Sequence, residues 1–121
     1  MIALFFIKRF NSPVPSGWYL KNTYYYEDGA IGDSFSFYIY QYDKELTSYK
    51  NYKKVGNDIE KIKLLFNQNS ILSHYKEWLW DDNTFDEDDI YYLKEYKNDK
   101  YDLYYFNKET KELFLIENHC D

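Results

Sequence analysis

Between Ser34 and Tyr42 the chain reads SFSFYIYQY, and large side chains of two kinds fall on alternate positions. Phe35, Phe37, Ile39 and Gln41 make one set, and Ser36, Tyr38, Tyr40 and Tyr42 the other. Strand side chains point to opposite faces in turn, whereas a helix repeats every ~3.6 residues. A period of two over this length demands a strand with an apolar face and a tyrosine-lined face. Such a strand needs a neighbour on each edge and a partner layer on its apolar side.

The flanking residues supply candidates. Trp18 to Glu27 is rich in aromatic residues and fits a strand. Asp28-Gly29-Ala30-Ile31-Gly32-Asp33 between the two runs is a turn, so residues 18–42 read as an antiparallel hairpin. Ile2 to Phe10 reads as an earlier apolar strand. The loop 11–17 holds two prolines and a glycine, which cannot sustain a ladder. After the acidic residues of the eighties the pattern returns. Ile90–Tyr96, Tyr101–Phe106 and Glu112–Glu117 read as strands, separated by turns at Lys97–Lys100 and Asn107–Lys111.

Helical spacing occupies the middle. Asp58 precedes a stripe of Ile59, Ile62, Leu65 and Phe66 and is placed as its N-cap. Ser70 is placed as the cap of a second helix, with Ile71, Leu72, Tyr75, Trp78 and Leu79 buried. Asn67-Gln68-Asn69-Ser70 breaks the two apart. Residues 43–57 fit two descriptions. Leu46, Tyr49 and Tyr52 suit a helix capped by Asp43 and stopped at Gly56, and they also suit an exposed strand. The expectation is an α+β fold: an antiparallel sheet of about six strands, order βββ-αα-βββ, with helices packed on one face. The 121 residues form a single domain, 1–121, with no repeat or linker.

Composition narrows the function. Residues 1–57 carry seven basic and five acidic side chains, and residues 58–121 carry eight and sixteen. An acidic second half disfavours nucleic acid phosphates and anionic lipid and favours a basic partner. No run approaches the roughly 20 apolar residues of a membrane span. MIALFFI is followed, not preceded, by Lys8 and Arg9, which is not the order of a secretory leader. The single Cys120 fits a reducing compartment, and the expected location is cytoplasmic. Sixteen tyrosines accompany fourteen lysines and one arginine, a mixture that AT-rich coding alone produces.

No catalytic constellation emerges. His74 lies at the edge of a helical stripe, and His119-Cys120-Asp121 is read as a frayed tail whose neighbours diverge. Gly29 and Gly32 do not form a phosphate loop, and no Cys/His spacing fits zinc. Reading 81–92 as a calcium loop places Phe85 at the fifth position and Asp86 at the sixth, where an oxygen ligand and a glycine are needed. Starting at Asp82 puts Glu87 at the glycine and Leu93 at the bidentate glutamate. No enzyme, cofactor or metal is expected.

The remaining feature is WLWDDNTFDEDDI, residues 78–90, with six carboxylates and no cation. One account is a solvated helix-to-strand connection. The other is a binding surface. Asp81, Asp82, Asp86, Glu87, Asp88 and Asp89 would steer a cationic protein, and Trp80 and Phe85 would anchor it. In size, acidity and tyrosine content the whole chain resembles the immunity proteins of bacterial polymorphic and contact-dependent growth-inhibition toxins. That resemblance rests on character rather than on a motif. It implies a partner that is a toxin's C-terminal domain, for example a basic nuclease, with no direct contact to nucleic acid or membrane. A phage-type nucleic-acid mimic uses the same charge spread over more of the surface. A small enzyme or ligand-binding domain would instead use a tyrosine-lined pocket around Tyr24, Tyr38 and Tyr40.

Overall fold

The structure, a computed structural model, describes residues 13–27, 34–68 and 80–119. Within them lie strands β1 (Trp18–Glu27), β2 (Ser34–Tyr42), β3 (Lys53–Lys54), β4 (Ile90–Glu95), β5 (Tyr101–Asn107) and β6 (Glu112–Asn118), and one α-helix, α1 (Ile59–Asn67). All strand pairs are antiparallel, and the sheet order is β1-β2-β6-β5-β4-β3. The coarse expectation of an antiparallel sheet with helical cover stands. The expected strand at 2–10 and the helix from Ser70 lie outside the described residues. The sixth strand here is instead the two-residue β3.

Local chemistry explains the hairpins. Asn98 and Asp99 both have positive φ, 63° and 60°, between β4 and β5. Two successive left-handed residues match the twist of the flanking strands, and Asn and Asp tolerate that region best. In the β5–β6 connection Lys111 is left-handed at φ 60°, and its N–H donates to the Asn107 carbonyl at 2.8 Å. The Asn107 Oδ1 accepts from the N–H groups of Glu109 and Thr110 at 2.9 and 3.0 Å. One side chain therefore organises the turn.

The β2 alternation maps onto two cores. Phe35, Phe37 and Ile39 join Leu103, Tyr105, Phe114 and Ile116 on one face, covered by Ile62 and Phe66 of α1. Phe66 is fully buried and meets Phe85, Trp80, Tyr105 and Phe114 edge to face, with ring centres 4.9–6.2 Å apart. Burying such a side chain contributes about 2–3 kcal/mol. The opposite face gathers Tyr42, Ile90, Tyr104, Phe106, Leu113 and Leu115, with Val14, Leu46 and Tyr52 packed over it. Both faces are covered at the centre, so every residue of β5 is buried.

Two local expectations are corrected. Residues 43–57 are neither a helix nor an extended strand. They form bends and a turn that lay Leu46 and Tyr52 on the tyrosine face, followed by the short β3 and a 3-10 turn at Gly56–Asp58. Asp58 precedes α1, but its side chain makes no cap hydrogen bond. Its Oδ2 accepts from the Tyr91 hydroxyl at 2.6 Å instead, a charge-assisted bond that ties the helix entry to β4.

Candidate functional site

The acidic connection begins in the core. Trp80 is 4% exposed, edge-on to Phe37 and Phe66, and its indole N–H donates to Asn67 Oδ1 at 3.2 Å. Phe85 is 7% exposed and packs between Phe66 and Tyr105. Neither ring is available to anchor a partner on this surface. Assigning Trp80 and Phe85 to a partner surface is therefore corrected: Trp80 lies outside any described helix and Phe85 follows a short 3-10 turn, so helical spacing places neither. The hydrophobic effect then buries both rings against the sheet.

The acids between them divide by task. The Asp81 Oδ1 accepts from the Asn83 N–H at 2.8 Å, and the Asp81 N–H donates to Thr84 Oγ1 at 3.0 Å. This reciprocal box closes a short 3-10 turn over Asp82–Thr84. The Asp86 Oδ1 accepts from the Asp88 N–H at 2.8 Å, and the Asp86 N–H donates to the Tyr105 hydroxyl at 2.9 Å. Asp89 is 1% exposed. Its carboxylate accepts from the Tyr105 hydroxyl and, at 3.0 Å, from the Lys108 N–H. Assigning Asp89 to a partner surface is therefore corrected: it is a buried acceptor. Its burial raises its carboxyl pKa above the usual range, against the lowering effect of those donors.

The loop is stapled on two sides. The Asn107 amide donates to the Thr84 carbonyl at 2.7 Å, while Gly56 and Val55 N–H groups donate to the carbonyls of Glu87 and Asp89. What remains exposed is Asp81, Asp82, Asp86, Glu87 and Asp88. A cation that the run itself lacks arrives from the β5–β6 turn: Lys108 Nζ lies 3.3 Å from Asp88 Oδ2.

The tyrosine face carries a second constellation. Tyr38 and Tyr40 stack with ring centres 6.0 Å apart, but they do not line the cleft on this side of the molecule. That cleft, about 300 Å³, is walled by Tyr49, Tyr52, Tyr92 and Tyr104, with Lys50 and Lys94 beside them. Tyr24, the other ring named for a pocket, has no described side chain. Asp102 also borders the cleft. Its Oδ2 accepts from the Tyr96 hydroxyl at 2.7 Å, and its Oδ1 lies 2.8 Å from the His119 Nε2. His119 is thus held against the sheet, and the reading of a frayed tail is corrected for this residue. Cys120 and Asp121 lie outside the described residues.

Burial and the hydrogen bond to Asp102 push the Tyr96 phenol up to about 12. Burial, with Asp102 as a smaller contributor, raises the Glu117 carboxyl. Asp102 and Glu117 face each other across β5 and β6, an arrangement that like charges normally destabilise. Residue spacing alone could not pair them, because the contact depends on the register of two strands.

Among the described residues no three His, Cys, Asp or Glu side chains are placed to hold a metal ion. No described helix is long and apolar enough to cross a membrane. Searches of family models, curated proteins and solved structures return no match for the chain.

Proposed function

We propose that this chain is a protein-binding module that captures a basic partner at its acidic loop, in the manner of a toxin-immunity protein. The partner is then a toxin's C-terminal domain, for example a basic nuclease whose phosphate-binding channel faces the loop. The supporting observation is that Asp81, Asp82, Asp86, Glu87 and Asp88 stay exposed on a connection pinned from both sides. A rigid array of charges loses little entropy on binding, which favours complementarity over adaptability.

Magnitudes define the loop's task. Exposed ion pairs contribute about 0.2–1 kcal/mol each, so five give roughly 1–5, against about −12 kcal/mol for a nanomolar complex. The charges therefore steer and orient the encounter. With Trp80 and Phe85 committed to the core, residence time must come from apolar contacts elsewhere. Leu64 on α1 is 62% exposed and Tyr19 on β1 is 60% exposed, and both are candidates for that contact.

The test combines Asp82→Asn, Glu87→Gln and Asp88→Asn, which spare the caps at Asp81 and Asp86 and the buried Asp89. Partners captured from the native host by the wild-type chain are assayed for association rate at low salt. A slowing of about tenfold, shrinking as salt rises, supports the reading. Equal rates for both proteins at low salt remove the loop from the interface.

A further inference from the structure

The acidic loop is stapled at the Asn107 end of β5, and a second group of charges lies near the other end of that strand. Asp102 on β5 and Glu117 on β6 stand opposite each other in register. Asp102 is 6% exposed and Glu117 is half-buried, so the two carboxyl groups meet largely out of water. Repulsion between them is correspondingly strong.

The groups that face this pair come from every neighbouring strand. From β2, the buried Ser36 stands opposite Glu117 and brings no charge, and Tyr38 hydrogen-bonds to Glu117. From the end of β4, the Tyr96 hydroxyl donates to Asp102 Oδ2 at 2.7 Å. Lys94 stands opposite Asp102 in register, with its Nζ 5.3 Å from the Tyr96 ring centre. From the end of β6, His119 Nε2 lies 2.8 Å from Asp102 Oδ1, and its ring centre is 5.2 Å from that of Tyr96. The phenols of Tyr40, Tyr92 and Tyr104 complete the described surroundings. Among these groups His119 is the cation bonded to Asp102.

Charge balance among Asp102, Glu117 and His119 depends on two protons. With an imidazolium at His119 and a proton on Glu117, one negative charge meets one positive charge. With both protons lost, two carboxylates confront each other beside a neutral ring. Both effects carry the same sign. Burial first, and Asp102 after it, raise the Glu117 carboxyl above its usual range. The stability this contributes is full below the unfolded carboxyl's range and is lost as pH rises through the folded value. The His119–Asp102 bond is charge-assisted only while the imidazole is protonated, so it also weakens as pH rises.

We propose that Asp102, Glu117 and His119 form a proton-operated latch, closed at mildly acidic pH, that releases the C-terminal end of β6 from β5 as the pH rises. His119 and Glu117 are the sensors, and Asp102, fixed by Tyr96, is the post on which the latch closes.

Hydrogen exchange of the full chain tests the latch, with carboxyl NMR to follow Glu117. Protection of the amides at 116–119, corrected for intrinsic exchange, should fall about three- to tenfold from about pH 5.5 to about pH 8.5. His119→Gln and Glu117→Gln change partly exposed side chains, so both variants should fold. Each should remove part of that fall, and together they should abolish it. A purely structural cluster would leave the Glu117 titration midpoint untouched by its neighbours. The latch instead requires Asp102→Asn to lower that midpoint and His119→Gln to raise it. Amides at 84–89 report on Asp89 separately. The proposal is overturned if protection at 116–119 is flat or rises with pH, if the double variant keeps the fall, or if the Glu117 midpoint ignores both substitutions.

Discussion

Replacing Asp89 by alanine should destabilise the fold far more than neutralising any neighbouring acid. The Asp89 carboxylate is the acceptor for two donors, the buried Tyr105 hydroxyl and the half-buried Lys108 N–H. A buried donor left unmet costs about 1–3 kcal/mol and a half-buried one less, so the two cost about 2–5. Removing a desolvated carboxylate returns part of that, and a net loss of about 3 kcal/mol is expected. Urea unfolding followed by circular dichroism measures it. With a slope of about 1–3 kcal/mol per M, the midpoint should fall by roughly 1–3 M.

The isosteric Asp89→Asn adds a sign test. The folded-state carboxyl lies above its usual value, chiefly through burial. A raised carboxyl contributes its full stability below the unfolded pKa, near 3.9, and loses it as pH rises through the folded value. The advantage of wild type over Asp89→Asn should therefore shrink as pH rises above the unfolded carboxyl's range. A midpoint for Asp89→Ala within about 0.3 M of wild type would refute the reasoning and return Asp89 to the solvated acids. An advantage that grows with pH would show that the donors outweigh the burial.

Trp80→Ala should cost about 3–5 kcal/mol in the same urea assay, because the indole fills space between Phe37 and Phe66; unchanged stability would free it for an interface. Asn107→Ala loses the donation to the Thr84 carbonyl and the acceptor for Glu109 and Thr110, and should cost about 2–3 kcal/mol. Hydrogen exchange should then accelerate across residues 84–89 as well as in the turn; acceleration confined to the turn would show that the staple does not hold the loop.

What could be read from the residues follows from periodicity and turn chemistry. The alternation at 34–42 defined β2 and its two faces. The stripe Ile59, Ile62, Leu65 and Phe66 defined α1, and Asn98-Asp99 marked the β4–β5 turn. These signals are local, because a strand face or a left-handed turn depends only on neighbouring side chains.

What only the tertiary structure decided involves partners distant in sequence. The pairing of β2 with β6 inserts the meander between the hairpin and the edge strand β3, and no local pattern specifies it. The same distance hid the buried role of Asp89, whose donors Tyr105 and Lys108 lie 16 and 19 residues away. It also hid the Lys108 cation beside Asp88, and the cleft assembled from Tyr49, Tyr52, Tyr92 and Tyr104. Composition could show that acids and rings were abundant. Which of them meet water, and which meet each other, is set by strand register and burial, because desolvation acts on positions in space rather than on positions along the chain.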